Sequence, residues 1–240
     1  MDRSFVGATV SMLSIIIPTY NEAEHIGRTL SALCLATGPV REVLVVDGGS
    51  TDGTVEEAEA SGVRVVHSAK GRSVQMNAGA REAQGDILFF LHADTVPPGD
   101  HAALITEAVD RGAKAGCFRL AFDHDHWFLR LNCWFTRFDV GAFRYGDQGL
   151  FVQRAVFERV GGFNGTMQLF EDNDMARRLK REGRFRVLPA TVITSARKYL
   201  DNGPYRMQFV FYRMYLLYRM GLSQERLLRV YRRLIRQDKL

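Results

Sequence analysis

Cysteine is scarce in this chain. Cys34, Cys117 and Cys133 are odd in number and widely separated, with no CxxC pair among them. A disulfide framework needs even, patterned cysteines and a zinc site needs close pairs, so the reading is buried free thiols in a reducing compartment. Long apolar runs are also lacking; none approaches the roughly 20 residues that span a bilayer. Met1 to Val10 has no basic segment leading into a long apolar core, so no secretory signal is read there. Internal repeats and low-complexity stretches are missing too. Together these absences give the expectation of a cytoplasmic protein. What remains is 240 residues, 46% hydrophobic and 25% charged. That is enough for one large α/β domain with a real core, or for one domain plus a helical appendage. The net charge of +5 would suit nucleic acid, an anionic membrane surface or a phosphate-rich small substrate.

The chain alternates short apolar runs with helical periods. Leu13–Ile17 and Glu42–Val46 read as strands, and each runs into a polar loop. Glu24–Ala36, Val55–Ser61 and Ser73–Ala83 read as helices, with a short strand at Val63–Val66. Ile87–Leu91 is an unbroken apolar run, the mark of a strand covered on both faces. This βαβ alternation predicts a parallel sheet. Beyond it, strands are predicted at 115–122, after Gly146-Asp-Gln148, at 186–188 and at 191–194. Helices are predicted at 124–138, 155–160, 170–183, 205–220 and 223–235. Residues 1–11 read as a loose tail, 12–202 as the α/β domain and 203–240 as a helical extension.

Two strand ends deliver acids, at Asp47 and Asp94. In a parallel sheet both face the edge where ligands bind. Asp47 stands before Gly48-Gly49, where a carboxylate can take hydrogen bonds from a ribose or base; its bland alternative is an Asx residue holding its own turn. Asp94 is suited to Mg²⁺ or Mn²⁺, which take oxygen ligands and diphosphate.

Five segments then occur in order: Ile17-Pro-Thr-Tyr-Asn-Glu22, Val45-Val-Asp-Gly-Gly-Ser-Thr-Asp-Gly-Thr54, Asn77-Ala-Gly79, Leu91-His-Ala-Asp-Thr95 and Glu171-Asp172. The ordered set resembles the family 2 glycosyltransferases over roughly residues 13 to 200. The resemblance implies a GT-A fold, α/β with a mostly parallel central sheet flanked by helices. It implies transfer of a sugar from a nucleotide diphosphate, usually with inversion, with UDP- or GDP-linked donors foremost. Pro18, Thr19, Tyr20 and Glu22 match the first nucleotide-contacting loop, and Asp47 the nucleoside-reading carboxylate. Lys70, Arg72 and Asn77 match nucleotide-side contacts. His92, Ala93 and Asp94 stand at the DxD motif, with Asp94 as the metal ligand. Glu171 and Asp172 match the acidic pair holding the catalytic base, and Asp172 is preferred. Arg197 lies in a degenerate form of the later Gln-x-x-Arg-Trp signature, available to the diphosphate. Asp147 and Gln148 lie in the half of the chain that shapes the acceptor site. His92 departs from the motif, where the family has an acid; it is read as a phosphate contact, a Mn²⁺ ligand or a packed residue.

Trp127, Phe128, Trp134, Phe135 and Phe138 offer an apolar acceptor surface, but at helical spacing core packing is expected first. For 203–240, packing within the chain or as a homodimer is expected ahead of peripheral membrane contact. Two other functions compete. A sugar nucleotidyltransferase would carry a glycine-rich phosphate loop with a basic residue after the first strand, where Pro18-Thr-Tyr-Asn-Glu22 stands instead. A basic nucleic-acid-binding protein would explain the charge but not acids at two strand ends; no nucleic acid is expected.

Overall fold

The computed structural model describes residues 11–141 and 146–235. Most of the predicted tail, residues 1–10, lies outside them. An eight-stranded sheet forms the centre, in the order β3-β2-β1-β4-β7-β6-β8-β5. The strands are β1 (Leu13–Thr19), β2 (Val40–Asp47), β3 (Arg64–His67), β4 (Ile87–Phe90), β5 (Thr95–Val96), β6 (Ala115–Phe122), β7 (Leu150–Gln153) and β8 (Phe185–Thr194). The strands β3, β2, β1 and β4 run parallel, as the βαβ alternation predicts. β7 is antiparallel to both of its neighbours, β4 and β6.

Successive side chains on a strand face opposite sides, and here each side has its own core. Ile15, Ile17, Val45, Phe89 and Leu91 pack with Ile26 and Leu30 of α1 (Ala23–Cys34). On the other face Ile16, Leu44, Val46, Leu88 and Phe90 pack with Met76 and with Met175 and Leu179. These last come from α3 (Arg72–Glu82) and α7 (Glu171–Glu182). A Cβ on Gly79 would come within 2.5 Å of an Ile16 methyl, so the glycine of the Asn77-Ala-Gly79 segment lets α3 lie close on β1. Between these elements lie α2 (Thr54–Ala60), α4 (His101–Asp110), α5 (Trp127–Phe135) and α6 (Arg154–Arg159). The chain closes with α8 (Arg197–Asn202), α9 (Pro204–Arg219) and α10 (Gln224–Leu234). The last three helices share a third core with Leu129 of α5, built on Ala196, Tyr199, Met207, Val210 and Leu227.

Three expectations change. α4 follows Pro97-Pro98-Gly99-Asp100 and has no counterpart in the predicted elements. The two short strands at 186–188 and 191–194 are one strand, β8. Pro189 falls where the β6–β8 register shifts, a position that tolerates a missing N–H. The burial expected of Trp127, Trp134, Phe138 and Cys34 is not found: all four are exposed.

Candidate active site

The topology brings the charged loops together. β1, β2 and β4 point the same way, so their C-terminal ends share one edge. β7 runs the other way and its first residue, Leu150, pairs with Phe90 at the end of β4. The turn at Gly146–Gln148 therefore arrives beside His92. β5 pairs with the last residues of β8, and the Ser195 N–H donates to the Asp94 carbonyl at 3.2 Å. This places Arg197 beside Asp94. A cavity of about 610 Å³ opens here, lined by Pro18, Thr19, Tyr20, Glu22, Lys70, Arg72, His92, Ala93, Asp94, Asp147, Glu171, Asp172 and Arg197.

Within it the charges form a chain of pairs. Glu22 Oε1 lies 2.7 Å from Arg197 Nη2, and the same nitrogen is 3.2 Å from Asp94 Oδ2. His92 Nδ1 lies 2.5 Å from Asp147 Oδ1. Arg72 Nη1 lies 2.9 Å from the buried Glu171 Oε1. Lys70 Nζ sits 4.0 Å above the Tyr20 ring, a cation–π contact that ties the loops after β1 and β3 together.

Asp172 has no such partner among the described residues. Burial and the neighbouring Glu171 push its carboxyl up to about 6, with His92 and Arg72 opposing them. Gly146 is the reason the carboxylate fits: a Cβ there would overlap Asp172 Oδ2 and press on His92 Cε1. Burial and Asp147 also raise Asp94, against His92 and Arg197. For Asp147 burial acts upward too, but the His92 charge and hydrogen bond, with Arg72, hold it far below the carboxylate range. Burial and the Arg72 charge act downward on His92, yet Asp147 and Asp172 outweigh them and raise it. Burial likewise opposes Arg72, and Glu171, Asp172 and Asp147 keep it charged.

Three expected site residues stand apart from the cavity. Asp47 is buried and accepts from the Gly49 N–H at 2.8 Å and the Ser50 N–H at 3.1 Å, the Asx arrangement. Asn77 clamps Phe163, its amide donating to the carbonyl and its oxygen accepting from the N–H, both at 2.8 Å. Gln148 is buried and donates to the Phe118 carbonyl at 3.0 Å. Conversely, sequence reasoning passed over Lys198 and the α9 residues Gln208, Phe211 and Tyr212 on the cavity wall. It also passed over Phe170, which precedes Glu171 with φ +65°. With Asn21, φ +54°, it is one of two non-glycine residues in the left-handed region among those described. Both abut site loops, where such strain collects.

A divalent metal fits in part. No group of three or more His, Cys, Asp or Glu side chains converges as a metal cage among the described residues. Asp94, however, has its carboxyl raised by burial and by Asp147 and Glu22 even with Arg197 adjacent. Mg²⁺ and Mn²⁺ commonly take one or two carboxylates and complete their shells with substrate phosphates and water. Asp94 is such a partial donor.

Comparison with known proteins gives first a fold and then a family. The chain superposes on a mannosyltransferase of Pyrobaculum calidifontis, PcManGT, solved with GDP-Man and Mn²⁺, at a TM-score of 0.68. That match has 20% identity and covers 95% of this chain and 70% of that one. It also superposes on S. aureus TarS 1-349 solved with UDP, with a TM-score of 0.62, 16% identity and coverage of 91% and 69%. The fold is GT-A. The family model for glycosyl transferase family 2 matches residues 14–173, and the chain belongs to that family. Among curated relatives, Haloferax volcanii glycosyltransferase AglE is 38% identical over 99 residues, covering 38% of this chain and 33% of the relative. The undecaprenyl-phosphate 4-deoxy-4-formamido-L-arabinose transferase of Edwardsiella ictaluri is 30% identical over 133 residues, covering 51% and 41%. The matches thus span well under half the length of these relatives.

Proposed function

We propose that the chain is a metal-assisted, inverting glycosyltransferase that takes its sugar from a UDP- or GDP-linked donor, with Asp172 as the general base. One observation carries this reading: a carboxylate with no ion-pair partner among the described residues, raised to about 6, lies in the same cavity as Asp94 and the basic side chains of Lys70, Arg72, Arg197 and Lys198. A base is most useful when its pKa lies near the working pH. Asp172 takes the proton of an acceptor hydroxyl as that oxygen attacks the anomeric carbon. The bond from that carbon to the diphosphate breaks on the opposite face, and the electron pair leaves with the nucleotide. Asp94 would hold a divalent ion, which would supply positive charge against the leaving diphosphate. Arg197 and Lys70 orient the phosphates. Arg72 fixes Glu171, so the first turn of α7 presents Asp172 alone. The Asp147–His92 pair fixes the imidazole beside Asp172.

Family membership supports the glycosyltransferase reading over the nucleotidyltransferase one. The ligands named for the two solved structures, GDP-Man with Mn²⁺ and UDP, support the donor class. A melting-temperature panel of UDP-, GDP- and dTDP-sugars, each with Mn²⁺, Mg²⁺ or EDTA, tests it. A ligand that binds only the folded state raises the melting point. A metal-dependent rise with one nucleotide is expected; no rise with any would end the donor assignment.

A further inference from the structure

We propose that the outer face formed by α5 and α9 docks on an anionic membrane surface. Along α9, Tyr205, Phe209, Tyr212 and Leu216 recur at i, i+4, i+7 and i+11, and all four are exposed. Along α5 and the turn after it, Trp127, Leu131, Trp134 and Phe138 recur at the same spacing, and these too are exposed. At 3.6 residues per turn the four α9 residues, and Trp127, Leu131 and Trp134 of α5, each fall in a stripe about 60° wide, and Phe138 follows in the turn beyond α5. The stripes are not the faces that hold the helices to the protein. Met207, Val210 and Met214 do that for α9, packing in one core with Leu129 of α5. The two stripes lie side by side: the Trp127 and Tyr205 rings are 6.2 Å apart, and Tyr212 Oη donates to Asn132 Oδ1 at 2.9 Å. Phe209 is 65% exposed, Leu216 60% and Trp127 58%. A run of exposed large apolar side chains of this length marks an interaction surface.

Charge selects the partner. Neither α5 nor α9 contains an acidic residue. Arg206 and Arg213 flank the α9 stripe, and Arg130 and Arg137 flank the α5 stripe, each pair seven residues apart. Asp125 reaches Arg130 at 3.1 Å from outside the helix. A second copy docked about a two-fold axis would set arginine against arginine, with no acid on either helix to receive them. Anionic headgroups supply that charge, while Trp and Tyr rings take the interfacial depth they favour. Among the described residues no helix is long and apolar enough to cross a membrane. Tyr212 belongs both to the stripe and to the cavity wall, which sets one side of the cavity at the headgroup layer. The inference does not depend on the reaction assigned above.

Flotation of the full chain with phosphatidylcholine vesicles, with and without phosphatidylglycerol, tests it. The chain's two tryptophans, Trp127 and Trp134, both lie on this face, so emission reports contact directly. Flotation with the phosphatidylglycerol vesicles and a blue shift of emission are expected, both weakening as salt rises. Arg213→Gln is expected to lower partitioning roughly fivefold. Phe209→Glu is expected to abolish it without lowering the melting temperature; should that variant fail to fold, Arg213→Gln carries the test. No flotation with phosphatidylglycerol vesicles, or equal flotation without that lipid, overturns the proposal. So does a wild-type dimer that Phe209→Glu splits while vesicles bind neither form.

Discussion

Asp47 and Asp94 close two parallel strands on one edge of the same sheet, and they do opposite work. Asp47 faces its own loop and accepts the N–H groups of Gly49 and Ser50. Its hydrogen-bonding capacity is consumed locally, and it lies outside the cavity. Asp94 lies two residues beyond His92, faces Arg197 and Glu22, and has its carboxyl raised by burial and by Asp147. The local sequence signal is the same in both cases, a carboxylate after a buried strand. What separates them is the company that distant segments bring. Asp47 has its own turn and the His67 ring, whose Nδ1 lies 3.9 Å from Oδ2, whereas the turn before β7, the loop after β1 and the start of α8 bring Asp147, Glu22 and Arg197 to Asp94.

The comparison can be broken by moving residues on either side of it. Asp172→Asn keeps the shape and removes the base. Turnover is expected to fall by roughly 10²–10⁴-fold while calorimetry shows nearly unchanged donor affinity; a large loss of affinity with turnover retained would reassign the residue. Gly146→Ala drives a methyl into the Asp172 carboxylate. A displacement of that size is expected to cost about 10²-fold in turnover, and a wild-type rate would mean the carboxylate is placed some other way. Asp47→Ala leaves two N–H groups unpaired and is expected to cost about 1–3 kcal/mol in urea unfolding. The activity of the folded fraction should change far less than in Asp94→Ala. Equal activity losses in the two would erase the distinction drawn here.

A smaller effect concerns stability. The Asp172 carboxyl lies at about 6 against an ordinary 3.8, so the folded state favours the protonated form. Stability from this group is complete below about pH 4 and is lost as pH rises through 6. Asp172→Asn should therefore melt higher than wild type above pH 6, by an amount on the order of 2 kcal/mol, and should show little difference near pH 4. A gain that is independent of pH would contradict the origin assigned to it.

Much of the parallel half was legible in the sequence, because burial on both faces and β-branched runs are local properties. β1, β2, β3 and β4 fall where Leu13–Ile17, Glu42–Val46, Val63–Val66 and Ile87–Leu91 predict them. Continuity across Pro189 was not legible, since it depends on a register shift supplied by β6. α4 went unread although its turn signals precede it. At the site, Asp94, Glu171 and Asp172 could be named from their order along the chain. The Asp147–His92 contact could not, because it depends on β7 running antiparallel so that its leading turn reaches the end of β4. Exposure of Trp134 and Phe209 was equally hidden, since helical spacing alone does not say which side of a helix meets the core.

The pH profile of transfer reads the base without a variant. With the donor named by the melting panel, nucleotide release is followed across the acid range. log kcat/KM is expected to climb with unit slope and level above a midpoint of about 6, with that limb missing in Asp172→Asn. A profile that is flat from about pH 5 to pH 7, or an acid limb that survives in Asp172→Asn, would contradict Asp172 as the base.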